Sequence, residues 1–382
     1  MNPQHTPPLR VVVVGGGIFG VSSALQLLRR GAEVTLLTEG AFATGASGRS
    51  LSWLNSSRMR STAYHHLRMA GIDRYRTLAA RHPGVPWLRF DGGLTWDADD
   101  AHNGIAEAYA HERSLGYDAQ WMRAEAAASA VPGIDARTIT PQGAIFNPGE
   151  GWVDLPSLIR VLLSEFKARG GRTVAEAGRA SLDVSGGRAV GVSTAAAGDF
   201  RADAVLLAVG PATPEVLAAA GVIIPDATPI ALLVETEPVA SPLKAVLNTP
   251  RVAIRPTPDG TFVLDSAWSE EEVAALGPDA LEVKRSTLDG LLHEASQVLA
   301  GNPVLTLGRY GIGPKPIPED GEPVLGTLDD IEGCHVAFSH SGATLGLIAG
   351  ELLADEIVSG TQHPMLAPFR ASRFRAGSRA TG

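Results

Sequence analysis

Cysteine occurs once in the 382 residues, at position 334. A single thiol excludes an intramolecular disulfide framework and a zinc site built from cysteines, and it fits a reducing compartment. Basic residues are the minority: 32 Lys and Arg against 41 Asp and Glu leave a net charge of −9. That balance argues against nucleic acid as a partner, because phosphate binding needs a basic face. Also missing is any unbroken apolar run of the roughly 20 residues that span a bilayer, and Met1 to Pro8 lacks the apolar stretch of a signal peptide. The expectation is a cytoplasmic protein with no stable membrane insertion. No HExxH, P-loop or GxSxG pattern is present. His65 and His66 are adjacent and would point to different sides of a helix, so no metal site is expected. Arg370, Arg373, Arg375 and Arg379, with no acid among them, read as a solvated tail.

Apolar residues supply 45% of the chain, enough for a substantial core, and the length suits about two to three structural units. Val11 to Val14 form a β-branched run without alternation, as expected of a strand buried on both faces of a parallel sheet. From Ile18 the apolar positions Val21, Ala24, Leu25 and Leu28 recur at helical spacing until Arg29-Arg30-Gly31. Glu33 to Leu37 is a second strand, which completes a βαβ unit. Leu155 to Arg169 reads as an amphipathic helix, and strands follow near Thr173-Val174, Arg188 to Val192 and Ala204 to Val209. Residues from about Thr228 to Trp268 alternate as strands broken by Pro-Asp-Gly turns. A last strand, His335 to Phe338, leads into a long helix with Leu345, Ile348, Ala349, Leu352 and Ile357 on one stripe.

Between the first strand and helix stands Gly15-x-Gly17-x-x-Gly20, and Glu39 follows Gly20 by nineteen residues. In this context the glycines have distinct tasks. Gly15 permits the tight turn, Gly17 lets amides approach a pyrophosphate at the helix N-terminus, and Gly20 lets the helix lie close on the sheet. Ile18 and Phe19 share that turn, and Glu39 is placed to accept two ribose hydroxyls. The motif by itself is equally compatible with NAD and FAD.

The wider pattern resembles the flavin-dependent D-amino-acid oxidase, glycine oxidase and sarcosine oxidase (DAO) family. The similar elements are the Gly15 to Gly20 fingerprint, Thr44 to Ser50, Gly151-Trp152-Val153-Asp154-Leu155, Leu207-Ala208-Val209-Gly210, Pro316 to Gly326 and Phe338 to Leu345, in order along the chain. The resemblance implies an α/β fold with an α+β substrate lobe. A Rossmann-like FAD-binding domain would span 1–86, 145–226 and 306–382, and a discontinuous second domain, built on an antiparallel sheet, would span 87–144 and 227–305.

It further implies noncovalent FAD held by Gly15, Gly17, Ile18, Phe19, Gly20, Glu39, the loop Gly45, Ala46, Ser47, Gly48, Arg49 and Ser50, then Val174, Ala208, Gly210, Gly313 and Ser341, Gly342, Ala343, Thr344 and Leu345. The loop offers successive amides, two hydroxyls and Arg49 to a diphosphate and the ring edge. Free amides at the start of the last helix would face the rim where charge gathers when a flavin accepts hydride. Lys315 stands where several relatives have an arginine that engages a substrate carboxylate, and a lysine is a point charge, not a fork. With Arg49, His340 and Thr344 it completes the catalytic candidates. Where sarcosine-oxidase-like relatives place a lysine at the helix start, this sequence has Thr344. Ser50, Ser52, Trp53 and Asn55 follow the flavin loop and could face the reactive side of the ring. Cys334 reads as a core thiol.

The expected activity is FAD-dependent oxidation of a C–N bond in a primary or secondary amine or amino acid, by hydride transfer to flavin and hydrolysis of the imine. The partners would be that small molecule and oxygen or another electron acceptor, in a monomer or an oligomer. Three alternatives stay open: oxidation of a 2-hydroxy acid, a noncatalytic FAD-binding subunit of a larger complex, and a pyridine-nucleotide dehydrogenase.

Overall fold

The computed structural model describes residues 7–277 and 280–377 and divides into two units. The first holds the described residues up to Gly48, Leu155–Pro229, and those from Pro314 on. The second holds Arg49–Asp154 and Ile230–Gly313.

In the first unit a six-stranded sheet runs in the order Val324–Thr327, Cys334–Phe338, Ala204–Leu207, Arg10–Val14, Glu33–Leu37, Arg172–Val174. All neighbours are parallel except the edge pair Val324–Thr327 with Cys334–Phe338. Val11 to Val14 are at most 3% exposed, which explains their unbroken apolar run: each buries a side chain worth roughly 1.5–3 kcal/mol whichever face it takes. The first helix, Ile18–Arg29, ends at Arg30 and Gly31, whose φ of +86° is the left-handed stop that glycine tolerates.

The last long helix, Gly342–Ser359, lies against the first through small residues. A Cβ on Gly346 would come within 2.3 Å of Ile18 Cγ1, and one on Gly350 within 2.3 Å of Ser22 Oγ. The two backbones meet at a distance no larger side chain would allow. A three-stranded antiparallel sheet, Ala180–Ser185, Arg188–Thr194 and Gly198–Arg201, completes the unit.

The second unit is built on an eight-stranded sheet in the order Leu307–Pro314, Ile230–Thr236, Phe262–Asp265, Ala253–Pro256, Val246–Asn248, Gly93–Thr95, Ala144–Asn147, Gln120–Met122. The registered pairs are antiparallel except Gly93–Thr95 with Val246–Asn248. Those two strands come from separate chain segments, so no hairpin dictates opposite directions. The anticipated turn at Pro258-Asp259-Gly260 joins two strands, with Gly260 at φ +76°.

The boundaries expected from sequence shift. Residues 49–86 and 145–154 belong with the second unit, because Trp53–Leu54 and Leu88–Arg89 both pair with Gly151–Val153. So do 306–313, since the strand Leu307–Pro314 edges the large sheet, whereas 227–229 go with the first unit. Strands of two or three residues carry no readable period, and Leu307–Pro314 is glycine-rich and largely exposed, so alternation is absent.

The arginine-rich end is not a solvated tail. Arg370 pairs with Glu356, Arg373 with Asp320 and Arg375 with Asp330; Arg379 lies outside the described residues. Among the described residues no helix is long and apolar enough to cross a membrane.

Candidate active site

The turn after the first strand ties three strands together at their C-terminal ends. Gly15 N–H donates to Leu37 O at 2.8 Å, and Ala208 N–H to Val14 O at 2.8 Å. At φ +131° a Cβ on Gly15 would strike Ala208 O at 2.1 Å, so only glycine fits. Gly17 differs. Its added Cβ would find Ser47 Oγ at 3.1 Å as its single neighbour within 4 Å, so the turn is open on that side.

Ser47, in the 3₁₀ turn Ala46–Gly48, accepts the Ile18 amide through Oγ at 3.0 Å. No acid stands in the first turn of Ile18–Arg29, and its N-cap Gly17 offers no side chain to its amides. An open glycine, orphan amides and a serine hydroxyl fit a diphosphate.

Glu39 is exposed two residues past Glu33–Leu37 and 3.8 Å from Arg179. Val174 sits beside it, its carbonyl accepting Thr38 N–H at 3.0 Å. Gly210 opens a short 3₁₀ turn next to Ala208.

The helix Gly342–Ser359 likewise begins without a side-chain cap or a first-turn acid. A Cβ on Gly342 would lie 3.5 Å from Ile18 and 3.7 Å from Phe19, so the two helix starts adjoin. Ser341, Ala343, Thr344 and Leu345 are buried there, while His340 is exposed. Lys315 is half-buried, its N–H donating to Pro229 O at 2.9 Å.

Arg49, Ser50 and Gly313 fall in the second unit. Two of them meet: a Cβ on Gly313 would come within 2.5 Å of Arg49 Nη2, and one on Gly311 within 2.8 Å of Arg49 Cδ. The guanidinium therefore lies along the strand Leu307–Pro314, and burial lowers its pKa. Asn55 spends its side-chain and main-chain oxygens on Arg68, at 2.8 and 2.7 Å, which gives it a packing role. Trp53 pairs with Trp152 across a strand. His65 is buried against Ser56 and His66 is exposed. Among the described residues no cluster of His, Cys, Asp or Glu is placed to hold a metal. Cys334 is buried, its thiol pushed up to about 12 by burial.

Two features of the second unit gave no sequence signal. Glu150 is fully buried, takes a 2.6 Å hydrogen bond from the Tyr117 hydroxyl, and is pushed up to about 8 by loss of solvent. Its surroundings, Pro148-Gly149-Glu150-Gly151, read as an ordinary turn. Arg255 is 3% exposed on the strand Ala253–Pro256, with its guanidinium 5.3 Å from the Trp152 ring centre. Its one trace in the sequence is a cation inside a short apolar run.

Known proteins share this architecture. Residues 10–356 match the model of the DAO family, FAD dependent oxidoreductase. Glycine oxidase of Pseudomonas aeruginosa is 29% identical over 375 residues, which cover 94% of this chain and 97% of that protein. D-amino acid dehydrogenase of Cereibacter sphaeroides is 25% identical over 433 residues, 97% of each chain. Glycine oxidase from Geobacillus kaustophilus has the same fold, with a TM-score of 0.81 at 22% identity over 96% of this chain and 99% of that one. With a turn shaped for a dinucleotide diphosphate and a family match along nearly its whole length, this enzyme belongs to the DAO family of FAD-dependent oxidoreductases and uses FAD.

Proposed function

We propose that the enzyme oxidises the carbon beside a primary or secondary amine, its substrate being an amine or amino acid. The carbon loses a hydride and the nitrogen a proton, and the imine formed hydrolyses in water. Bound FAD supplies the acceptor for the hydride and passes the electrons on. The observation that carries this reading is the meeting of two helix starts, both without a first-turn acid, at Ile18 and Gly342. One such terminus suits phosphates, and a second beside it suits the electron-rich rim of the cofactor ring.

The chain's own residues then divide the work. Amides of Gly17 to Gly20 and the Ser47 hydroxyl hold the diphosphate, Glu39 takes the ribose hydroxyls, and Val174, Ala208 and Gly210 line the same strand ends. The helix start at Ser341 to Leu345 gives positive potential, through the helix dipole, where negative charge collects. Lys315 and Arg49 add positive charge for an anionic substrate. Orientation and exclusion of water do the remainder, with no essential side-chain base. FAD is held without a thioether, since the one cysteine is buried in the core, and a cytoplasmic setting fits that reduced thiol.

The relatives named glycine oxidase and D-amino acid dehydrogenase support the amine class. The test is to desalt the purified enzyme, record its visible spectrum, and titrate it anaerobically with amino acids, N-methyl amino acids, secondary amines and 2-hydroxy acids. Bleaching by members of the amine set is expected. Bleaching by hydroxy acids alone would move the enzyme to that class.

A further inference from the structure

In the second unit the paired strands Gly93–Thr95 and Ala144–Asn147 turn Leu94, Ala144 and Phe146 into the main apolar core. Strand alternation therefore sends Gly93, Thr95, Ile145 and Asn147 to the opposite face, where Ile105 and Ala108 of the helix Ile105–Ser114 cluster with Ile145. At the Asn147 end this second layer is polar. Asn147 Nδ2 donates to Glu112 Oε2 at 3.1 Å, and Arg58 N–H donates to Glu112 Oε1 at 2.7 Å. Gly93 stands opposite Asn147, and a Cβ on it would fall 2.2 Å from Glu150 Oε2. The Glu150 carboxyl thus takes the space that a side chain at position 93 would fill.

The hydrogen bonds around Glu150 have a direction. Ser56 N–H donates to the Tyr117 hydroxyl oxygen at 3.1 Å, and that hydroxyl spends its hydrogen on Glu150 Oε1 at 2.6 Å. Oε1 is the accepting oxygen, and burial keeps the carboxyl protonated up to about 8, so the acid hydrogen sits on Oε2. Oε2 has no hydrogen-bond partner among the described residues, and neither have Asn147 Oδ1 and Thr95 Oγ1. All three residues are at most 2% exposed. Their needs are complementary: Glu150 gives a hydrogen, Asn147 takes one, and Thr95 does either. They share a face without bonding one another, and each left alone would carry its full cost of desolvation. Water is the smallest molecule that both accepts and donates, and a buried water makes about three such bonds.

We propose that Glu150, Asn147 and Thr95 bind an ordered interior water, which ties the Tyr117–Glu150 pair to the strands beneath the helix Ile105–Ser114. The water accepts from Glu150 and Thr95 and donates to Asn147. Arg60 and Arg68 already act through space on Glu150, so the site calls for no further positive charge. It stands whatever the enzyme oxidises.

The test is a crystal structure of the FAD-loaded enzyme refined with waters, with urea melts near pH 6, where Glu150 holds its proton. A peak is expected about 2.5–3.0 Å from Glu150 Oε2, Asn147 Oδ1 and Thr95 Oγ1. Thr95→Val keeps the shape of the side chain and removes the hydroxyl. With a water bonded there, the variant should raise the unfolding constant about 5- to 30-fold, and its own structure should show the peak lost or moved. A hydroxyl buried dry would gain from the exchange, so a Thr95→Val enzyme at least as stable as wild type overturns the proposal. A wild-type structure without the peak overturns it too.

The melts are repeated with sodium and potassium replaced by choline at equal ionic strength. Unchanged midpoints are expected. A wild-type midpoint that falls in choline, with no such fall in Thr95→Val, puts a metal cation in the site and overturns the water. Should Thr95→Val fail to fold, the wild-type peak and the choline melts decide.

Discussion

Gly20 sits so close to Gly15 that a Cβ on it would fall 1.9 Å from the Gly15 carbonyl oxygen, while one on Gly17, three residues earlier, meets only a serine hydroxyl at 3.1 Å. The same motif thus contains a packing glycine and an open one, and substitution separates them. Gly17→Val is expected to fold with a near-normal melt and to lose its flavin, because the branched side chain fills the side that the diphosphate needs. Gly20→Val is expected to lose about 3 kcal/mol or more, since backbone must move to admit it. The flavin-to-protein absorbance ratio and a thermal melt check both. A folded Gly17→Val enzyme that keeps stoichiometric FAD would remove the diphosphate from this turn.

Glu356 and Arg370 form an ion pair whose side chains are 2% and 8% exposed. Arg370 Nη1 donates to Glu356 Oε2 at 2.8 Å, and His363 N–H donates to Oε1 at 2.5 Å. Removing one partner leaves a buried charge alone, so Glu356→Ala should cost about 3–5 kcal/mol in urea unfolding. Replacing both, as Glu356→Leu with Arg370→Met, should recover much of that loss. A near-zero effect of the single change would show that water reaches the pair.

That pair also shows where the sequence falls silent. An arginine-rich end without acids looks solvated because its partners, Glu356, Asp320 and Asp330, lie 14, 53 and 45 residues back along the chain. Long-range pairing leaves no local period. The first unit was legible because its strands are buried on both faces and its helices carry clear stripes, and because the glycine turn works through backbone geometry that residue identity reports directly. The second unit was legible only as a run of strands and turns. Gly93–Thr95 and Gly151–Val153 are too short to alternate, which is why its boundary came out 38 residues late at the first crossing, at 86 instead of 48. Arg255 and Glu150 became informative only once burial was known: no property of a lone Arg or Glu in a sequence tells that it is shut away from solvent.

The first turn of the last long helix contains Gly342, Ala343, Thr344 and Leu345, of which Thr344 is 1% exposed. None of these four residues is a cation. Reaction of a reduced flavin with oxygen passes through a negatively charged stage that a nearby cation favours, so the fully reduced enzyme should reoxidise slowly in air and quickly with a quinone acceptor. Stopped-flow mixing of anaerobically reduced enzyme with each acceptor measures this. Fast reoxidation by air would make it an oxidase.

The carboxyl of Glu150 and the imidazole of His335 impose opposite pH slopes on stability. Glu150 keeps its proton up to about 8 when folded, against an ordinary value of 4.5 in the unfolded chain. Between those limits the unfolded chain has released a proton that the folded one retains. The contribution of Glu150 is therefore complete below pH 4.5 and is lost as the pH rises to 8, by up to about 1.4 kcal/mol per pH unit. Burial also raises Glu112, which accepts from Arg58 N–H and Asn147 Nδ2, and adds to the same slope. His335 is held down to about 4 by burial, from 6.5. Its contribution is present above pH 6.5 and lost as the pH falls towards 4. The two slopes oppose each other between pH 4.5 and 6.5, and only the acid's acts from 6.5 to 8. Urea midpoints should accordingly stay nearly level over the lower range and decline over the upper one. Glu150→Gln keeps an acceptor for the Tyr117 hydroxyl and has no proton to lose, so it should flatten the upper decline and be more stable than wild type at pH 8. An unchanged decline in that variant would mean that Glu150 is ionised in the folded enzyme at neutral pH.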